Sequence, residues 1–194
     1  MKKKEIYAKM VLNMSSDLKK EKMSMTKPGS ISYLMKGSQP SEQSLNIKIG
    51  NRLEPLLNNF LKKMGFEQHP LQKNLIKGHQ IDTLYMYNDT LEYYEQKTNA
   101  GLDSEKIIQT IKKILEVKEA LNIQTNIKVN ASILHTTVWE ESDAPNYISY
   151  YKKYRKAGIK VIFMSDYFKL LSVDITKQEF YDLWTEAGKI LYNN

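Results

Sequence analysis

The chain contains no cysteine, so disulfides and thiolate metal sites are excluded, and a reducing, cytosolic setting is the default expectation. It has no run of about 18 apolar residues, so no segment is expected to span a membrane. The opening Met1-Lys2-Lys3-Lys4-Glu5 lacks the apolar stretch of a secretory signal. No Gly-rich phosphate loop and no nucleophile elbow is visible, which leaves nucleotide hydrolysis and serine hydrolase chemistry without support. Arginine is nearly missing as well: Arg52 and Arg155 stand alone among 29 basic residues. Guanine reading through bidentate arginine forks is therefore sparse, and lysine contacts to phosphate dominate whatever polyanion is bound. Asn and Gln are abundant and pair well with adenine, but a coding bias toward Lys and Asn explains the same composition, so no target sequence follows.

What is present points to a basic globular protein. The 194 residues suffice for one domain with a substantial core, and the net charge of +7 with a pI near 9.2 favours a polyanionic partner, of which nucleic acid is the commonest. The basic residues are dispersed and not massed on one amphipathic helix, which argues against a membrane surface.

Between Gly78 and Lys97 lies the densest chemistry. Ile81, Leu84, Tyr85 and Tyr87 favour a strand, Asn88-Asp89-Thr90 is a turn signal, and Leu91, Tyr93 and Tyr94 resume the strand. The resulting β-hairpin carries Asp82 on its first strand and Glu95 with Lys97 on its second. Alternation puts Glu95 and Lys97 on one face and Gln96 on the other. If Asp82 faces the same way, two carboxylates and an ammonium converge, a set suited to a metal ion and a water attacking a phosphodiester. Hard cations such as Mg²⁺, or Mn²⁺ in its place, take carboxylate oxygens. Lys97 would hydrogen-bond the nucleophile or offset charge on phosphorus. Ordinary surface charges on a half-exposed hairpin explain the same letters.

Gly78-His79-Gln80-Ile81-Asp82 followed by Glu95-Gln96-Lys97 resembles the PD-(D/E)XK nuclease superfamily, and within it the type II restriction endonucleases. The likeness covers roughly Pro40 to Ile133. It includes a preceding helix with an acid, from Ser44 to Glu54, and the segment from Thr98 to Lys106. Ile81 stands where the motif's proline would be, and Gln96 replaces a usually apolar residue that faces the helix-covered side, where it would need buried hydrogen-bond partners.

The resemblance implies an α/β fold with a restriction-endonuclease-like αβββαβ core, a mixed central sheet flanked by helices. It implies metal binding by Asp82, Glu95, the Gln96 carbonyl and Glu54, with Lys97 catalytic. It also implies double-stranded DNA as substrate and 5′-phosphate products. A palindromic target would call for a homodimer, and a cognate DNA methyltransferase would accompany the enzyme. Glu54 reads equally as a solvated helix residue. A Holliday junction resolvase shares this core, and a basic DNA-binding module with an inert nuclease-like fold is the non-enzymatic alternative.

The single domain is expected to divide into an N-terminal helical arm and linker (1–40), a catalytic core (41–135) and C-terminal strand and helices (136–194). A helix over Lys3 to Lys20 would line up Ile6, Met10 and Asn13 or Met14 on one side. Another from Ser41 to Lys63 would bury Leu45, Ile49, Leu53, Leu56, Leu57, Phe60 and Leu61, with a kink at Pro55 and an end at Gly65. Two or three strands would follow before a helix capped by Asp103 and running to about Leu121, with Ile107, Ile108, Ile111, Ile114, Leu115 and Leu121 as its stripe. Asn126 to His135 alternates as a strand pairing with the Glu95 strand. A helix over Asn146 to Ala157, a buried strand over Ile159 to Met164 and a helix opened by the Thr176–Glu179 capping box complete the order.

His69, His79 and His135 are too scattered for a recognisable metal triplet. His79, close to Asp82, is a candidate for DNA contact or the outer metal shell, or simply for local packing. Lys152, Lys153, Arg155 and Lys156 interleave with Tyr147, Tyr150, Tyr151 and Tyr154. They suit either a DNA-facing helix or the solvated face of a core helix.

Overall fold

The computed structural model describes residues 2–21, 24–25, 41–98 and 104–192. Among these, four strands form one sheet in the order β1 (Thr83–Tyr87), β2 (Thr90–Lys97), β3 (Val129–His135) and β4 (Lys160–Ile162). β1 and β2 are antiparallel, while β2, β3 and β4 run parallel, so the sheet is mixed and the chain is α/β. Asn88 and Asp89 both adopt positive φ, 47° and 58°, the backbone of a two-residue I′ hairpin loop. Thr90 closes that loop by donating its hydroxyl to the Tyr87 carbonyl at 2.7 Å.

Six α-helices of the described residues flank the sheet. α1 (Lys3–Lys19), α2 (Glu42–Lys63), α5 (Met164–Leu170) and α6 (Lys177–Tyr192) share one core with Tyr85, Tyr94, Leu134 and Ile162. α3 (Ser104–Thr125) and α4 (Ile148–Lys156) cover the other face, packing on Leu84, Leu91, Tyr93, Val129, Ala131 and Ile133. α3 and α4 are the crossovers that parallel pairing requires. No helix of the described residues is long and apolar enough to cross a membrane.

Several expectations need correction. Of the segment expected as an arm and linker, the described helix α1 packs into the core. Tyr7, Val11, Met14 and Leu18 of α1 are buried against α6 and α2, and the buried stripe is centred one residue beyond Ile6 and Met10, which pack at its edge. Tyr7 fills the interior through edge-on packing with Phe168 at 4.9 Å. α2 keeps its expected span, with the Ser41 hydroxyl accepting from the Ser44 amide. On α3, Ile108 and Leu115 are exposed, and the inward stripe is Ile107, Ile114, Val117 and Leu121. Asp103, the expected cap of α3, lies outside the described residues. The apolar run at Val161–Met164 does not continue as strand. Asp166 accepts from the Phe163 amide at 3.2 Å and starts α5, a helix the sequence reading lacked. The Thr176–Glu179 capping box forms in both directions, at 2.8 and 3.2 Å.

Of the two or three strands expected ahead of α3, two are present among the described residues. A 3₁₀ turn, Pro70–Lys73, with one bridge between Gln68 and Tyr85, runs along the outer edge of β1. There the Gln72 side chain accepts from the Leu84 amide at 3.0 Å, and the His69 amide donates to the Leu84 carbonyl at 2.8 Å. The edge is satisfied by a loop in place of a neighbouring strand.

Candidate active site

Pairing of β1 with β2 stops at Thr83 opposite Tyr94. Asp82, one residue earlier, takes over from the ladder with its side chain: Oδ2 accepts the Gln96 amide at 2.8 Å. Its carbonyl is held from behind by Asn58 Nδ2 of α2 at 2.7 Å and Gln72 Nε2 at 2.9 Å. Asp82 is thus fixed through both its backbone and its carboxylate.

Alternation then sorts the hairpin by face. Leu84, Tyr93, Glu95 and Lys97 point toward α3, and Asp82 joins them, as the sequence suggested. Thr83, Tyr94 and Gln96 point toward α2. On the α2 side, Gln96 Nε2 donates to the Thr83 hydroxyl at 2.8 Å, and that hydroxyl donates to Asn58 Oδ1 at 2.6 Å. These are the buried partners Gln96 was expected to need, although its Oε1 has none among the described residues.

The charges gather on the α3 side. Glu95 is only 2% exposed, and both its oxygens are engaged. Oε1 accepts from Lys97 Nζ at 2.7 Å; Oε2 accepts from Lys113 Nζ at 2.6 Å and from the Tyr93 hydroxyl at 3.1 Å. The same Lys113 ammonium lies 3.8 Å from Asp82 Oδ1. One cation therefore serves two carboxylates. Burial alone would push the Glu95 carboxyl up, but Lys97 and then Lys113 outweigh it and hold it below the ordinary range. Burial, and after it the neighbouring Glu95, pushes Asp82 up to about 7 against the pull of Lys113. Glu54, half-buried on α2, is raised by burial and by Glu95. The two site acids are driven apart in acidity by their surroundings, as groups with different protonation roles are.

A cleft of about 500 Å³ opens over this cluster. Glu54, Asp82, Glu95, Gln96, Lys97 and Lys113 all line it, and the N-terminal half of α2 forms its far wall through Asn46, Gly50 and Asn51. The expected catalytic residues are thus brought together. His79 is not: its Nε2 lies 3.3 Å from Glu116 Oε2 on α3, outside the cleft. Lys152, Lys153, Arg155 and Lys156 do not line it either. They are exposed on α4, the crossover between β3 and β4. Arg155 is held by Glu141 through both terminal guanidinium nitrogens, while Tyr151 and Tyr154 are buried.

Lys113 is the site residue that sequence reasoning missed. Its signal was readable in part: position 113 falls on the inward side of α3 with Val117 and Leu121, where a lysine interrupts an apolar stripe. His135, the register partner of Lys97, is buried between Tyr151 and Phe163. Burial and then the Lys97 charge push its imidazole down to about 4, so it stays neutral.

Among the described residues no group of three or more His, Asp or Glu forms a ready metal cage. The donor set nonetheless fits a small hard cation: the carboxylates of Asp82 and Glu95 already converge on one positive charge, with Glu54 on the same cleft. The Lys97 carbonyl accepts from the Thr136 amide on the β3 side, so alternation turns the Gln96 backbone edge toward Asp82. The chain matches no protein-family model, no curated protein and no solved structure.

Proposed function

We propose that the protein is a Mg²⁺-dependent DNA endonuclease of the PD-(D/E)XK kind, with Asp82, Glu95, Glu54 and the Gln96 carbonyl as the cation-holding set and Lys97 as the catalytic amine. The observation that carries this reading is the convergence of Asp82 and Glu95 on a single ammonium, beside Lys97, in an open cleft of a basic protein. Two acids brought together at low exposure are costly unless positive charge compensates them, and a hard cation at this opening would do so. A bound Mg²⁺ supplies neutralisation of the scissile phosphate and acidity for the attacking water. The chain's own residues do the rest. Tyr93 and Lys97 orient the Glu95 carboxylate, the Gln96 amide orients that of Asp82, and Lys97 keeps an N–H donor at the cleft wall for the nucleophile or the phosphoryl oxygens. Hydrolysis in this reading breaks the P–O3′ bond and leaves 5′-phosphate ends. The finer form is a type II restriction enzyme, acting as a homodimer on a palindromic duplex site and paired with a methyltransferase.

One observation favours a second reading, an inert DNA-binding module: both acids are already paired with lysines within the protein. Incubation with long duplex DNA and with four-way junctions, in Mg²⁺ or in EDTA, separates the possibilities. Discrete duplex fragments in Mg²⁺ alone support the restriction enzyme, and cutting confined to junctions supports a resolvase. Binding with no cutting of either substrate supports the inert module.

A further inference from the structure

We propose that Lys113 is a tethered counter-cation, occupying the carboxylate oxygens of Asp82 and Glu95 until a divalent cation displaces it. The inference rests on the cation-site reading above and adds a residue that the nuclease motif does not contain.

Three features lead to it. Glu95 is nearly inaccessible, and a carboxylate so placed must be paired at all times or become protonated. Lys97 pairs with one of its oxygens, from two residues along the same strand. The other oxygen belongs to Lys113, which comes from α3 and is the one lysine among the described residues within ion-pair distance of both acids. Its ammonium therefore uses the oxygens that a hard cation would need, and the two cannot share them.

The second feature is access. The Lys113 side chain is 21% exposed and lines the cleft, so its four-carbon stem can turn the ammonium toward the opening while α3 stays in place. The third is the surrounding scaffold. Asp82 is fixed through its carbonyl and its carboxylate, and Glu95 is further held by Tyr93, so the acids stay where they are when the ammonium leaves. Metal binding becomes an exchange of one cation for another in a preformed oxygen pair, without collapse of an unpaired acid cluster.

The test uses Mn²⁺ alone, without DNA. Its binding is followed by loss of the free-ion electron paramagnetic resonance signal in wild type, Lys113→Met and Lys113→Arg. Removal of a competing positive charge at ion-pair distance should tighten Mn²⁺ binding in Lys113→Met about tenfold or more, whereas Lys113→Arg should keep the weaker wild-type affinity. Equal binding by wild type and Lys113→Met, with unchanged circular dichroism, overturns the exchange while leaving the cation site standing. Absence of Mn²⁺ binding in all three overturns both. A second measurement needs no substitution. Amine-reactive labelling of the wild-type protein, read by mass spectrometry, should modify Lys113 faster at saturating Mn²⁺ than in chelator. An unchanged rate contradicts displacement.

Discussion

The two faces of one hairpin do different work. Toward α2, Asn58, Gln72, Thr83 and Gln96 form a neutral hydrogen-bonded network that grips the Asp82 backbone and the β1 edge. Toward α3, one residue over in each strand, Asp82, Glu95, Lys97 and Lys113 form a cluster of charges. Neutral groups with fixed partners hold a backbone well because they have one satisfied arrangement. Charges that share a mobile counter-ion can exchange it. The period of two in a β-strand lets ten or so residues be scaffold and candidate site at once, with no loop needed to carry the chemistry.

If the division is right, substitutions on the charged face should remove activity and spare the fold, and those on the neutral face should do the reverse. The largest effect is expected for Lys97→Ala. Loss of a donor aimed at the reacting phosphate should lower turnover by about 10²–10³-fold or more, with DNA binding in EDTA nearly unchanged. Single-turnover cleavage alongside a binding titration checks it, and near-wild-type cutting would return Lys97 to the role of a surface lysine.

Asp82→Asn should sharpen the contrast through pH. The Asn oxygen can still accept from the Gln96 amide, but the charge is gone. In metal-free protein, Asp82 titrates near 7 when folded and near 3.8 when unfolded. Between those values the folded state holds a proton that the unfolded chain has released, so stability falls as pH rises through the window. The substitution should therefore stabilise the protein at pH 8 by on the order of 1–3 kcal/mol, and the gain should vanish near pH 4. Denaturant melts across that range in chelator test it.

On the neutral face, Asn58→Ala removes one donor to the Asp82 carbonyl and the acceptor for the Thr83 hydroxyl. A loss of about 1–3 kcal/mol is expected, because buried partners are left unpaired. Activity should decline only as far as Asp82 is displaced. A collapse of cleavage at unchanged stability would break the division of labour.

How much of this was legible in the sequence depended on range. The hairpin, its turn and the common face of Asp82, Glu95 and Lys97 follow from alternation over a few residues, and the pairing of β3 with β2 follows from the crossover helix between them. The helix carrying Glu54 was marked by its apolar period. Lys113 was not found because its role arises only when α3 folds back over β2; in sequence it is one lysine among many on a helix. The stripe of α1 was misplaced because Ile6 and Met10 looked more apolar than Tyr7, yet Tyr7 buries the larger side chain. A surface for DNA was least legible of all, since exposed lysines on α4 satisfy solvation and phosphate contact equally well.

The smallest effect belongs to that surface. Charge reversal at Lys152, Lys153 or Lys156 should lower affinity for all sequences and flatten the salt dependence by about one unit per lost phosphate contact. Unchanged salt slopes in all three would assign α4 to core packing alone.

The central claim is that the charged face is a cation-dependent hydrolytic site, and Glu95→Gln tests it most directly. Its side chain keeps the shape of Glu95 and loses the charge that Lys97 and Lys113 share. Cleavage of long duplex DNA should proceed with wild type in Mg²⁺, stop in EDTA, and be absent with Glu95→Gln in either, while the variant still binds the duplex. Cutting by Glu95→Gln at the wild-type rate, or by wild type in EDTA, would contradict the account.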